Sequence, residues 1–163
     1  MPSLSLSYLL VNYLCVYIED KLKEILDIPV FHDDQHGTAI VTVAGMINAL
    51  RIVDKDLSDI KVVLNGAGAA GIAIIKLLYS YGVRNMIMCD SRGAIYEDRP
   101  YGMNPTKDFV AKWTNKDKTE GELSEVIKDA DVFIGVSIAD LLSKEIDNLI
   151  LKFIWKCIEP DVS

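Results

Sequence analysis

The sequence predicts an α/β fold with a doubly wound parallel sheet. Three observations carry that prediction. Short β-branched or apolar runs, IKVVLN at 60–65, VRNMIMCD at 83–90 and DVFIGVS at 131–137, alternate with segments of helical periodicity. A glycine-rich turn, GAGAAG at 66–71, joins the first run directly to a helical segment. The chain has 163 residues, 50% of them hydrophobic, which suits one domain with a sizeable core.

The elements follow in order. The first stretch, MPSLSLSYLLVNYLCVYI, has an apolar part too short to span a bilayer. It carries no lysine or arginine before Lys21, so the basic start of a signal peptide is missing. It reads as a segment that packs on something. In IEDKLKEIL, Ile18, Leu22, Ile25 and Leu26 recur at helical spacing, and Glu19 and Asp20 are expected as surface charges. Pro29 ends this helix, because the residue before a proline avoids the helical region. Residues 30–31 are expected to be extended and 32–37 a loop, with the next helix starting at Thr38. That helix, TAIVTVAGMINALRIV, is apolar nearly all round and so buried on most sides. A polar loop at 54–59 leads to the strand at 60–65, the glycine turn and a helix over 72–81. Gly82 closes that helix before the strand at 83–90. Residues 91–121 are polar and rich in glycine and proline, and read mostly as loop with a helix around 105–113. A short helix over 121–130, a strand over 131–137, a helix over 141–150 and a last strand within 152–160 complete the alternation.

Composition excludes several classes of partner. A net charge of −7 leaves no basic surplus for nucleic acid or an anionic membrane surface. Cys15, Cys89 and Cys157 are odd in number and widely spaced, giving neither a disulfide framework nor a zinc ligand set. A reducing, cytoplasmic setting is the expectation.

The glycine turn carries chemistry. Gly66, Gly68 and Gly71 fit the G-x-G-x-x-G pattern between a strand and a helix, the context in which it signals dinucleotide binding. Gly66 permits the tight turn, Gly68 lets the backbone approach a pyrophosphate, and Gly71 lets helix and strand pack closely. The helix N-terminus offers free N–H groups to the phosphates. The alternative is an ordinary α/β turn with small residues for packing. Asp90 ends the next strand about 20 residues on, where an acidic side chain accepts from a ribose 2′-hydroxyl. Its charge favours NAD over NADP, an effect that Arg92 partly offsets.

The stretch VFHDDQHGTAI at 30–40 sets two aspartates between two histidines. One reading is that Asp33 or Asp34 caps the following helix. The spacing of His32 and His36 suits zinc ligands on a helix, but Gly37 and Pro29 favour a loop. A third reading divides the labour of the two carboxylates. One binds a hard divalent cation and the other accepts or holds a proton.

At this point the segments IPVFHDDQHGTAIVTVAGMINAL, VVLNGAGAAGIAI, MCDSRGAIY and DVFIGVS resemble the NAD(P)-dependent malic enzymes of the bacterial type, over about residues 15 to 143. The resemblance implies a Rossmann-like domain, incomplete relative to the family, with NAD or NADP and Mg²⁺ or Mn²⁺ as cofactors. It implies malate and pyruvate as substrate and product of an oxidative decarboxylation. Asp34 matches the metal-binding aspartate, and Asp33 its neighbour in the acid–base network. Thr38, Gly66, Gly68, Ala69, Ala70, Gly71, Asp90, Ser91 and Arg92 match cofactor-binding positions, and Gly135, Val136 and Ser137 match a strand end near the nicotinamide.

The chain also departs from that family. Tyr8 and Leu9 stand where the family has a further Glu-Asp pair for the metal, and Glu159 stands in place of a substrate-binding asparagine. The family's N-terminal domain, with its catalytic tyrosine and lysine and substrate-binding arginine, has no counterpart. The expectation is an N-terminal segment over 1–27, a remnant or unrelated sequence, and a partial NAD(P)-binding domain over 28–163. Such a chain binds cofactor with little or no turnover, and is a homo-oligomer or lacks a partner domain. A non-catalytic nucleotide-binding or interaction module and a dehydrogenase of another substrate are the alternatives.

Overall fold

A computed structural model describes residue 14, residues 17–137 and residues 154–156. At its centre lies β1 (Lys61–Asn65), which pairs in parallel with β2 (Asn85–Asp90) on one side and β4 (Val132–Gly135) on the other. Beyond β2 the two-residue β3 (Gly93–Ala94) runs antiparallel, and beyond β4 the short β5 (Ile154–Lys156) runs parallel. The sheet order is β3-β2-β1-β4-β5. The expected parallel sheet is present, with one antiparallel pair in a region read as loop.

Side-chain alternation gives the sheet two apolar faces. Val62, Leu64, Met86, Met88, Val132 and Ile134 face a layer formed by α2 (Asp33–Ile52), α3 (Ala69–Ser80) and α4 (Pro105–Ala111). On the other face Val63, Ile87, Cys89 and Phe133 pack with Val126 and Ile127, at the end of α5 (Leu123–Val126). Val62, Val63 and Leu64 are fully buried, each stabilising the fold by roughly 1.5–3 kcal/mol. Coverage of both faces is what makes these strands read as continuous apolar runs.

Three helices begin or end differently from the expectation. α2 starts at Asp33 and not at Thr38, so both aspartates and Gly37 are helical. His32 is its extended N-cap, and the two carboxylates in the first turn complement the positive end of the helix dipole. α3 starts at Ala69, inside the glycine motif. α5 is a short capping-box turn closed by Glu122 and Glu125, and Asp129, at φ +59°, leaves the helical region soon after it. The helix expected over 141–150 lies outside the described residues, as do Cys15, Cys157, Tyr8, Leu9 and Glu159.

Another helix, α1, runs through residues 17–25. No helix among the described residues is long and apolar enough to cross a membrane.

Chain direction places the helix ends. Lys55, just beyond α2, pairs with Asp131 just before β4, and Asp131 accepts from the Lys61 N–H at the start of β1. The C-terminal end of α2 therefore lies at the edge where the parallel strands begin. α3 leaves β1 at the opposite edge and packs beside α2. The first turns of α2 and α3 thus come to the same edge of the sheet, beyond the C-terminal ends of the strands.

Candidate cofactor and active site

That edge contains the point where strand order reverses: the chain leaves β1 toward β2 and returns across it to β4. Ligands of open α/β sheets bind in this crevice. Gly66 sits in it at φ +124°, a conformation that favours glycine. Its N–H donates to the Cys89 carbonyl at 2.9 Å, and the Val136 N–H donates to the Asn65 carbonyl at 2.9 Å. A Cβ on Gly66 would lie 2.5 Å from the Val136 carbonyl oxygen, and one on Gly71 would lie 1.9 Å from the Gly66 carbonyl oxygen. The turn is thus wedged between the ends of β2 and β4 and against its own helix.

Gly68 differs. A Cβ there would meet nothing within 4 Å, so its backbone faces open space. It is also the N-cap of α3, with no side-chain cap and no acidic residue in the first turn. The N–H groups at this end, those of Ala69 and Ala70 among them, are left for a ligand. An exposed, uncapped and uncharged helix start beside open space fits the pyrophosphate of a dinucleotide. Thr38 and Val136 are partly buried, and Ser91, Arg92 and Ser137 are exposed.

Asp90 is already engaged. Arg99 Nη2 donates to its Oδ2 at 2.6 Å and Nη1 to Oδ1 at 3.1 Å. Lys107 Nζ donates to Oδ2 at 2.6 Å, and the Arg92 N–H to Oδ1 at 2.9 Å. These four bonds fill the acceptor capacity of a carboxylate. Burial opposes its charge, but the donors from Arg99, Lys107 and the Arg92 backbone hold its pKa down at about 2. The negative charge that argued against a 2′-phosphate is therefore outweighed locally by two cations. Beside it, burial and the Asp90 charge push the Cys89 thiol up to about 12, so it is an inert core side chain.

The second half of the site is the first turn of α2. Asp33 and Asp34 are exposed and form no ion pair with a described residue. Glu19 corrects the sequence reading. It is 4% exposed and is no surface charge, whereas Asp20 is exposed. Its Oε1 accepts from His36 Nε2 at 2.6 Å and from Lys23 Nζ at 2.7 Å, tying α1 to α2. Burial works against the Glu19 charge, yet the Lys23 and His36 bonds leave its pKa lowered. Phe31 stacks on His36 with ring centroids 5.6 Å apart. With Nε2 taken, only Nδ1 of His36 remains for another partner.

Among the described residues no group of three or more His, Cys, Asp or Glu side chains is arranged to hold a metal ion. Two adjacent carboxylates fall short of the near-octahedral oxygen coordination that Mg²⁺ demands. The described residues alone do not make a metal centre.

Sequence reasoning missed Arg99, Lys107 and the buried state of Glu19. Arg99 follows Asp98, whose φ of +70° turns the chain back, and no periodicity announces such a return. Lys107 did carry a signal. It lies in the first turn of α4, where a cation opposes the helix dipole and needs a nearby anion.

A glycine turn at the switch point of a parallel sheet, opening an uncapped helix, defines a dinucleotide-binding domain of the Rossmann type. Comparison with known proteins narrows the class. A family profile described as the malic enzyme NAD binding domain matches residues 35–157. The bifunctional malic/malolactic enzyme of Bacillus subtilis is 67% identical over 131 residues, covering 80% of this chain and 32% of that protein. The NAD-dependent malic enzyme of Geobacillus stearothermophilus is 60% identical over 131 residues, covering 80% of this chain and 27% of that protein. The crystal structure of the NAD-dependent malic enzyme of Thermotoga maritima superposes with a TM-score of 0.79 at 40% identity, over 83% of this chain and 36% of that one. The chain belongs to the malic enzyme family and carries its NAD-binding domain. It spans about a third or less of the length of these curated relatives.

Proposed function

We propose that this chain forms the cofactor half of a malic enzyme active site, serving the oxidative decarboxylation of malate to pyruvate and CO₂. The observation that carries the reading is the joint placement of two first turns at one sheet edge. One, on α3, is open to a pyrophosphate, and the other, on α2, presents two exposed carboxylates. Bound NAD or NADP supplies the hydride acceptor. Gly68, Ala69 and Ala70 would hold its phosphates through backbone N–H groups, while Gly66 and Gly71 fix the turn. Val136 and Ser137 would border the nicotinamide, and Thr38 would line the crevice from α2.

Asp33 would take part in holding the proton removed from substrate, and Asp34 would serve as one ligand of Mg²⁺ or Mn²⁺. Tyr8 and Leu9 stand where the resemblance expects the further Glu-Asp pair, so this chain by itself is expected to bind cofactor with little or no turnover. The Asp90–Arg99–Lys107 cluster has a net positive charge, which supports acceptance of NADP as well as NAD. A homo-oligomeric or domain-partnered state and a cytoplasmic setting belong to the same reading. The exposed Ile25, Ile28, Phe31 and Ile52 support the first, and the odd number and wide spacing of the cysteines, which give no disulfide framework, support the second.

Fluorescence titration with NADH and NADPH, with malate turnover followed in Mn²⁺ on the same sample, tests this. Binding of both without turnover is the expected result. Absence of binding by a folded sample overturns the cofactor reading, and turnover overturns the incompleteness of the metal site.

A further inference from the structure

Gly37 is a glycine inside a helix, where alanine would be more stable. Its backbone is ordinary helix, with no positive φ to demand glycine. Nor does it admit a neighbouring element: the nearest atoms to a Cβ built there all belong to Asp33. Oδ1 would lie at 2.2 Å, Cγ at 3.0 Å and Oδ2 at 3.6 Å. Helical Cβ atoms tilt toward the N-terminus, so a Cβ at 37 would point at the residue one turn earlier. The missing methyl is the space that the Asp33 carboxylate occupies.

We propose that Gly37 is a positioning residue: the space left by its missing side chain lets the Asp33 carboxylate lie back along α2, in a rotamer that a side chain at 37 would exclude. Any side chain at 37 drives Asp33 into another staggered rotamer. That displacement is cheap for the fold, because the atom in the way is the far end of an exposed side chain. The functional meaning rests on the acid–base role proposed for Asp33; the rotamer assignment does not.

The test uses the full isotope-labelled chain. Three-bond couplings from the Asp33 Cγ to its backbone nitrogen and carbonyl carbon report χ1 directly. The expected result is one dominant rotamer in the parent protein and a different one in Gly37→Ala. Thermal melting in two backgrounds makes the coupling quantitative. Gly37→Ala should raise Tm by about 2 °C with Asp33→Ala also present, as a helix-interior glycine replaced by alanine does. A smaller rise when Asp33 is intact measures what the displaced carboxylate costs. Unchanged Asp33 couplings in Gly37→Ala overturn the proposal. These readouts stand apart from NADH binding, so failure of the cofactor reading remains a separate result.

Discussion

Lys107 lies in the first turn of α4, and the backbone there favours anions, yet its ammonium donates to Asp90 at 2.6 Å. Arg99 is the partner that cannot leave: its side chain is fully buried, against 15% exposure for Lys107. The more exposed cation is therefore the one able to turn toward a ligand phosphate beside the ribose. Lys107→Gln is expected to weaken NADPH binding by about tenfold, the effect of roughly 1.4 kcal/mol for one charge-assisted bond, and to leave NADH binding within about twofold. Paired titrations of the two nucleotides check this. Equal losses for both would remove Lys107 from 2′-phosphate recognition. The sequence showed Asp90 at a strand end but not what neutralises it, because Arg99 and Lys107 return from a loop and a separate helix.

Among the elements, the glycine turn separates steric from functional need. Gly68→Ala meets no atom within 4 Å, so it should melt within about 2 °C of the parent, since a surface substitution changes stability by only about 0.5 kcal/mol. Its methyl would occupy the approach to the pyrophosphate, and NADH affinity should fall at least about tenfold. Gly71→Ala would place its methyl 1.9 Å from the Gly66 carbonyl oxygen, a backbone atom with little freedom to yield. It should lose about 1–3 kcal/mol of stability in urea denaturation, the usual range for overpacking. The three glycines were legible in the sequence because they fall within six residues at a fixed spacing between a strand and a helix. The start of α2 was not: Pro29 and Gly37 both read as helix breakers. Only the structure shows that the chain is already extended at His32 and that Gly37 answers to the Asp33 side chain. Glu19 was misread for a related reason, since helical periodicity on α1 cannot show that His36, on another helix, covers it.

At the scale of the whole molecule, the acid limb of stability belongs to carboxylates that are charged and engaged. The Asp90 pKa falls from 3.8 to about 2 on folding, so its contribution is fully present above pH 3.8 and is lost as pH drops through 2. That shift amounts to about 2 kcal/mol. Glu19, also lowered from 4.5, adds a loss of the same sign beginning slightly higher. Urea midpoints should decline from about pH 4 toward pH 2. Asp90→Asn should flatten that decline while lowering stability at pH 7, since it leaves the buried Arg99 cation without its counter-charge. A decline unaltered by Asp90→Asn would place the acid sensitivity elsewhere. The alternation of strands and helices made the sheet legible from sequence. The antiparallel β3 was not, because two residues carry no period.

The wedge formed by Gly66 and the Val136 carbonyl reaches across 70 positions of sequence. A synthetic peptide cut from residues 60–81 would therefore carry all three glycines of the motif without the motif's shape. Conversely, a cut within the exposed 116–120 loop would part Gly66 from the carbonyl against which it is wedged. The fingerprint is written locally, but the object that it denotes is assembled from both halves of the domain.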